Sequence, residues 1–193
     1  MTGNEKYRAV VIGTSAGGLT ALSTLLENLP LNYPLPIIVV QHRSKEPRDL
    51  LEEILQTKCK LKVKQADEKE RIESGFVYIA PPDYHLLIEN DCTFSLTADE
   101  AVLYSRPSID VLFESAASVY TSSLVGIILT GANGDGARGI RTIAEKNGLT
   151  IAQNPDEALF PAMPLASIDT KKVNHIFTLA EIQSFLVNSI HQQ

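Results

Sequence analysis

Three polar residues, Ser15, His42 and Asp135, each come shortly after a separate apolar run of the sequence. A serine hydroxyl is a weak nucleophile that needs a neighbouring base. A neutral histidine can take that proton and return it to a leaving group, and a buried carboxylate fixes the tautomer of the imidazole. The three residues together are therefore the parts of a Ser-His-Asp hydrolase site.

Ser15 lies at the centre of a G-x-S-x-G motif at residues 13–17, which is the nucleophile-elbow pattern. The glycines permit a tight strand-to-helix turn that exposes the serine, and the N-terminus of the following helix supplies free N–H groups for a developing oxyanion. The chain order Ser, His, Asp differs from the Ser, Asp, His order of α/β-hydrolases. The sequence therefore indicates a triad outside that fold.

The glycine-rich turn at residues 13–18 has a second interpretation, as a cradle for a phosphate or a dinucleotide. Two observations weaken it: Ser15 replaces the second glycine of GxGxxG, and Gln41 with His42, not an acidic residue, ends the second apolar run. Taken singly, a histidine at a strand end and an aspartate among glycines are usually structural. Their joint position after three apolar runs favours catalysis, and the phosphate interpretation stays open.

Short apolar runs that alternate with helical periodicity indicate the fold class. Seven strands are predicted, at residues 8–12, 36–40, 61–64, 76–80, 124–129, 150–152 and 175–177. Residues 85–89 and 93–97 predict a β-hairpin. The expected fold is α/β: a doubly wound, mostly parallel sheet with helices on both faces plus a small β-hairpin, with the three polar loops at the carboxyl ends of the strands.

Local signals predict where three of the helices begin or end. Ser108 is expected to cap the helix that follows it. Gly148 is expected to end the helix at 137–147 in the left-handed conformation. Thr178 and Glu181 have the spacing of a capping box at the start of the last helix.

Composition limits the possible classes of protein. The 193 residues suit one domain, 1–193, and the net charge of −6 argues against nucleic-acid binding. No apolar run approaches the roughly 18 residues of a membrane span, and no signal peptide is apparent, so membrane insertion is not expected. Cys59 and Cys92 have neither disulfide nor metal spacing, which favours reduced thiols in a cytoplasmic protein. No second carboxylate lies near Asp135 in sequence, so no metal site is predicted.

Three further polar residues are predicted to face the substrate at the mouth of the site. Arg43 directly follows His42, and Arg106 precedes the helix expected after Ser108. His85 opens the predicted hairpin. The positions of these side chains depend on the loops, so the prediction is of a rim and not of a reacting group.

Six sequence blocks in one order resemble the catalytic domain of the chemotaxis-type protein-glutamate methylesterases, the CheB family. The blocks are VIGTSAGG at 11–18, VVQH at 39–42, VYIAPPDYHLLIE at 77–89, RPSIDVLFESAA at 106–117, GIILTGANGDGARGI at 126–140 and AQNPDEALFPAMP at 152–164. The resemblance extends from about Val10 to Leu179. Several blocks in a fixed order are far more specific than G-x-S-x-G alone.

The resemblance implies an activity and a role for each matching residue. The family hydrolyses glutamate γ-methyl esters on methyl-accepting chemotaxis receptors, releasing methanol, and also deamidates receptor glutamines. Ser15 then corresponds to the nucleophile, His42 to the general base and Asp135 to the orienting acid. Backbone N–H groups near Ala16 and Ala132 are where an oxyanion hole is expected. The implied reaction requires no metal or organic cofactor.

One departure from the family pattern concerns regulation. In the usual arrangement a receiver domain precedes the catalytic domain, and its phosphorylation relieves inhibition. No receiver domain is present in this sequence, so either a standalone form with a possible separate regulatory partner or an excised catalytic domain is expected. A non-catalytic scaffold of the same fold within a sensory complex is the alternative to an esterase.

Overall fold

The computed structural model describes residues 6–43 and 50–189, and these ranges contain nine strands and six helices. The strands are β1 Ala9–Thr14, β2 Ile37–Gln41, β3 Lys62–Gln65, β4 Phe76–Ile79, β5 His85–Ile88, β6 Phe94–Thr97, β7 Leu124–Ile128, β8 Leu149–Gln153 and β9 His175–Phe177. The helices are α1 Gly18–Leu26, α2 Leu51–Lys58, α3 Ile109–Tyr120, α4 Ala137–Glu145, α5 Ala162–Asp169 and α6 Leu179–Ser184. A 3₁₀ turn follows α3 and a π-helical turn follows α6.

Seven of the strands form one parallel sheet in the order β3-β4-β2-β1-β7-β8-β9, and β5 and β6 form a separate antiparallel hairpin. The predicted fold class is therefore confirmed. The chain leaves β1 towards β2 on one side and leaves β7 towards β8 on the other. The loops after β1 and β7 thus diverge at a topological switch point, where α/β proteins place their sites.

Helices cover both faces of the sheet, which explains why its central strands are continuously apolar. Val10 and Ile12 of β1 pack on the face covered by α1, α2 and α6. Val11, between them, packs on the opposite face with α3, α4 and the hairpin. Both sets are fully buried, and each such side chain contributes about 1.5–3 kcal/mol relative to exposure. This burial fixes the strand register that positions the loops.

Helix α5 and the end of α4 differ from the sequence-based expectations. No helix was predicted at 162–169, and Pro164 lies in the first turn of α5, where proline is tolerated. Gly148 does not take the left-handed conformation; Asn147 does, with φ of 64°. The N–H of Gly148 instead donates to the carbonyl of Ile143 at 2.9 Å and closes the helix end. The predicted capping box of Thr178 and Glu181 is confirmed.

The described residues offer neither a membrane-spanning helix nor a cluster of metal-binding side chains. Between 6 and 43 and between 50 and 189, no helix combines the length and apolar character needed to cross a membrane. In the same ranges, no three or more His, Cys, Asp or Glu side chains are grouped so that they could hold a metal ion.

Candidate active site

The register of the central strands brings the loops that carry Ser15 and His42 side by side. Thr14 pairs with Gln41 in the β1–β2 ladder, so Ser15 and His42 are the next residues beyond the two strands. The N–H of His42 donates to the carbonyl of Thr14 at 3.0 Å, and the N–H of Ser15 donates to the carbonyl of Thr130 at 3.0 Å. The loops after β1, β2 and β7 therefore meet at the carboxyl edge of the sheet, as predicted.

His42 and Asp135 form a direct pair between two of these loops. Nε2 of His42 lies 2.8 Å from Oδ2 of Asp135, and the carboxylate is fully buried. Because a carboxylate accepts, Nε2 carries the proton, and Nδ1 is the nitrogen left to act as a base. The ring is thus turned the opposite way from triads in which Nδ1 faces the carboxylate.

Three further hydrogen bonds hold Asp135 at the start of α3. Its carboxylate accepts from the hydroxyl of Ser108 at 2.9 Å and from the N–H groups of Ile109 at 2.7 Å and Asp110 at 3.1 Å. Ser108 precedes the helix as predicted, but its hydroxyl donates to Asp135 and does not cap the helix itself. The carboxylate of Asp135 caps the N-terminus of α3 in place of Ser108.

The hydrogen bonds of Asp135 also set its ionisation. Burial alone raises the pKa of a carboxyl, because it disfavours the charged form. The bonds from His42, Ile109 and Asp110 outweigh burial and hold the pKa of Asp135 below its ordinary value. Asp135 is therefore a carboxylate at neutral pH, as an orienting group for an imidazole must be.

Ser15 lies in the tight turn between β1 and α1. The N–H of Gly18 donates to the carbonyl of Ser15 at 2.9 Å, and Gly17 has φ of 80°, a conformation that glycine adopts without strain. The side chain is half-buried. Its hydroxyl makes no hydrogen bond to any residue that the structure describes, so Oγ has no structural partner.

The two predicted oxyanion donors flank this turn. The hydroxyl of Thr130 donates to the carbonyl of Ala16 at 2.9 Å and fixes its peptide group. In the described part of the chain, the N–H groups of Ala16 and Ala132 have no hydrogen-bond acceptor. Both are therefore available to a ligand, and their role as an oxyanion hole stays a prediction.

An open cavity of about 590 Å³ lies against the ring of His42 and is lined in part by Arg43 and Arg106. The guanidinium of Arg43 donates to the carboxylate of Glu52 at 2.7 Å and to the carbonyl of Ala80 at 3.3 Å. Arg43 is thus at the predicted rim, but it is anchored by an ion pair to the first turn of α2.

Arg106 also reaches the rim while serving its own loop. Its guanidinium donates to the carbonyls of Ala98 and Asp99, at 2.8 and 3.0 Å. These bonds fold residues 98–106 into one wall of the cavity. The predicted position of Arg106 at the mouth of the site is therefore observed, and whether it contacts substrate stays a prediction.

His85 does not face the cavity, and the expectation that it faces the substrate is wrong. Its side chain is 1% exposed, and both ring nitrogens are bonded. Nε2 donates to the carbonyl of Glu100 at 3.0 Å, and Nδ1 accepts from the N–H of Ser108 at 3.1 Å. His85 braces the backbone that leads into α3, and so supports Asp135 indirectly.

Sequence reasoning missed Ser105, whose hydroxyl lies 3.3 Å from Nδ1 of His42. The hydroxyl donates there, because Nε2 carries the ring proton. Ser105 is distant from His42 in sequence and lies in an irregular loop, where no periodicity or motif could have indicated the contact. In this structure Nδ1 of His42 is therefore bonded to a serine other than Ser15.

The parallel sheet and the imidazole–carboxylate pair at its carboxyl edge define the class, an α/β protein with the parts of a serine hydrolase site. A family model described as CheB methylesterase matches residues 10–186, and the chain belongs to this family.

Relatives and a solved structure agree with that membership. A "Putative protein-glutamate methylesterase/protein-glutamine glutaminase" of Leptospira interrogans is 48% identical over 94% of both chains. The "Protein-glutamate methylesterase/protein-glutamine glutaminase" of Archaeoglobus fulgidus is 35% identical, over 96% of this chain and 54% of its own length. The crystal structure of the Thermotoga maritima CheB methylesterase catalytic domain superimposes with a TM-score of 0.90 at 33% identity, covering 95% of this chain and 98% of that one.

Proposed function

We propose that this protein is a serine hydrolase that removes the methyl group from glutamate γ-methyl esters on methyl-accepting chemotaxis receptors, releasing methanol. The observation that carries the proposal is the His42–Asp135 pair, held at 2.8 Å on loops that meet the Ser15 turn at the carboxyl edge of the sheet. The names of the relatives in Leptospira interrogans and Archaeoglobus fulgidus support the same reaction.

Acylation begins at Ser15. Nδ1 of His42 takes the proton of Oγ as that oxygen attacks the γ-carbonyl carbon of the ester, and Asp135 stabilises the imidazolium through Nε2. The hydroxyl of Ser105 must release or share Nδ1 for this step. The N–H groups of Ala16 and Ala132 receive the oxyanion of the tetrahedral intermediate.

Collapse of that intermediate breaks the bond to the methoxy oxygen. The imidazolium of His42 returns its proton to this oxygen, so methanol leaves and a glutamyl ester of Ser15 remains. Water then attacks the ester carbonyl with His42 as the base. The products are the free glutamate carboxylate and a regenerated Ser15 hydroxyl.

Deamidation of receptor glutamines would follow the same route with ammonia as the leaving group, and the second half of the relatives' printed name supports it. The cytoplasm is the proposed compartment. In its support, Cys59 and Cys92 are both free thiols. A separate regulatory partner is proposed to control access to the site.

The phosphate-cradle alternative is disfavoured by the turn itself. An anion cradle uses several N–H groups of such a turn, and the N–H of Gly18 is already bonded to the carbonyl of Ser15, which leaves fewer of them for an anion. The space beside Gly18 is filled by the amide of Gln41, with which an added Cβ would collide. These contacts leave little room for a phosphate group at the start of α1.

The test is methanol release from a methylesterified chemoreceptor by the wild type and by Ser15→Ala. Release by the wild type alone establishes the reaction and the nucleophile together. If neither releases methanol, a fluorophosphonate probe on the same samples separates the alternatives. Labelling at Ser15 would retain a serine hydrolase with another substrate, and no labelling at all would favour the scaffold.

A further inference from the structure

We infer that Gln41 is a positioning residue that ties the nucleophile turn to the base turn and so sets the relative placement of Ser15 and His42. The inference rests on the proposed function, because it concerns the reactivity of those two side chains. Neither the glycine-rich motif nor the triad requires a glutamine at this place.

The side-chain amide of Gln41 bridges the two catalytic loops. Gln41 is the last residue of β2 and is 8% exposed. Its Nε2 donates to the carbonyl of Ser15 at 2.8 Å and to the carbonyl of His42 at 2.9 Å. Both protons of one NH₂ group are therefore used, and each is given to a residue whose side chain does the chemistry.

The orientation of this amide is determined by its surroundings. If it were flipped, Oε1 would face two carbonyl oxygens with no proton between them. Oε1 instead packs against Gly18, where an added Cβ would collide with it and with the side chain of Thr14. Within the described residues Oε1 has no hydrogen-bond partner, so the side chain keeps a buried acceptor unsatisfied. A buried acceptor without a hydrogen bond lowers the stability of the folded protein. The two hydrogen bonds from Nε2 are the compensating interaction at this position.

The bridge should affect rate more than substrate binding. Ser15 and His42 lie on separate loops that follow the paired strand residues Thr14 and Gln41. The side-chain amide of Gln41 adds a link between the backbones of the two loops. A misplacement of about 1 Å between reacting groups costs on the order of 10² in rate. Gln41 does not line the cavity beside His42, so its loss should leave affinity nearly unchanged.

Gln56 supplies a matched control elsewhere in the chain. Its Nε2 also donates to two carbonyls, of Cys59 at 3.1 Å and of Leu61 at 3.0 Å. Its Oε1 accepts from the N–H of Val63 at 2.9 Å. This second glutamine clamp joins α2 to β3 and touches neither catalytic loop. It reports what the loss of such a clamp does to folding alone.

The experiment compares Gln41→Met with Gln56→Met, since methionine keeps the volume and removes the N–H donors. Three quantities are measured: the second-order rate of fluorophosphonate labelling at Ser15, kcat and KM for methanol release, and the unfolding temperature. We expect Gln41→Met to lower the labelling rate and kcat by about 10- to 100-fold with KM within about threefold. Gln56→Met should lower only the unfolding temperature. Gln41→Ala serves as a second variant if the methionine distorts the turn.

Each outcome decides the inference. If wild-type Ser15 is labelled and Gln41→Met reacts within about twofold of it, Gln41 has no positioning role while the triad stands. If both glutamine variants lose activity in proportion to their loss of stability, Gln41 is only structural and the inference is overturned. If the wild type is not labelled at Ser15, the proposed function fails and the role of Gln41 fails with it.

Discussion

Asp110 and Asp135 each accept a backbone hydrogen bond at the start of the helix that belongs to the other. Asp135, just before α4, accepts from the N–H of Asp110 in α3 at 3.1 Å. Asp110 in turn accepts from the N–H of Gly139, in the first turn of α4, at 2.7 Å. Each carboxylate also compensates the positive end of a helix dipole. The carboxylate of Asp135 is thus held in place by the same contacts that join α3 to α4.

Asp135→Asn should reduce turnover far more than it reduces stability. An amide can turn its NH₂ group towards His42 and hold the wrong tautomer, a change that costs about 10⁴ in the chymotrypsin triad. The asparagine amide has one oxygen where the carboxylate has two, so the N–H groups at the start of α3 lose an acceptor. The loss of this acceptor costs about 1–3 kcal/mol. Methanol release and chemical denaturation measure the two effects. Asp169→Asn, at an exposed site, is the control, and retention of more than a tenth of the activity would contradict the role of Asp135.

The two buried aspartates should give opposite pH dependences of stability. Hydrogen bonds outweigh burial and lower the pKa of Asp135, so its contribution is present above about pH 4 and is lost as pH falls through its folded pKa. Burial raises the pKa of Asp110, against the bond from Gly139 and together with the charge of Asp135. The contribution of Asp110 to the free energy of unfolding is present below about pH 4 and is lost as pH rises through its folded pKa.

Asp110→Asn isolates the second of these effects. The amide oxygen can keep the bond from Gly139 while the buried charge is removed. The free energy of unfolding of this variant, relative to the wild type, should therefore increase as pH rises from about 4 towards 7. Urea denaturation at a series of pH values measures the difference. A difference that stays flat across this range would show that Asp110 ionises in the folded protein as it does in water.

Ser105→Ala should make Ser15 more reactive. The hydroxyl of Ser105 occupies the base nitrogen of His42 at 3.3 Å, a long hydrogen bond of modest strength. Removing a neutral hydrogen bond of about 0.5–1.5 kcal/mol should raise the rate of phosphonate labelling by about 2- to 10-fold. Ser105→Thr keeps the hydroxyl and should behave like the wild type. A fall in the labelling rate of Ser105→Ala would mean that this hydroxyl assists the base.

Gly18→Ala should be destabilising, and Gln41→Ala should relieve part of the cost. The new methyl group would collide with Oε1 of Gln41 and with the side chain of Thr14. Overpacking of this kind costs about 1–3 kcal/mol. A double-mutant cycle on the free energy of unfolding should give a coupling between Gly18 and Gln41 of about 0.5 kcal/mol or more. Strict additivity would show that the amide moves away freely.

The sequence predicted the sheet and the meeting of the three loops because both follow from local pattern. Strands buried on both faces are continuously apolar, and the carboxyl ends of parallel strands share one edge. The contact of His42 with Asp135 is confirmed on that basis. The catalytic role of Ser15 stays a prediction.

The parts that sequence reasoning missed depend on contacts between distant segments. Nothing near His85 in sequence shows that Glu100 and Ser108 take both of its ring nitrogens. The direction of the Ser108 hydroxyl likewise depends on Asp135, which is 27 residues away. Gln41 carried a usable signal, since a polar side chain at the end of a buried strand needs hydrogen-bond partners, but its position does not reveal which ones.

Asp135 is hydrogen-bonded to the fold and the Ser15 hydroxyl is not, and this difference bears on which of the two residues other sequences of this fold should retain. Asp135 accepts the N–H groups of Ile109 and Asp110 at the start of α3, so a protein of this fold without catalytic activity would still need it for stability. The hydroxyl of Ser15 forms no hydrogen bond to the described chain, so replacing this serine would cost the fold no hydrogen bond. In a set of such sequences, a retained aspartate is expected from the fold alone, whereas a retained serine needs another cause, which the proposed role as nucleophile supplies.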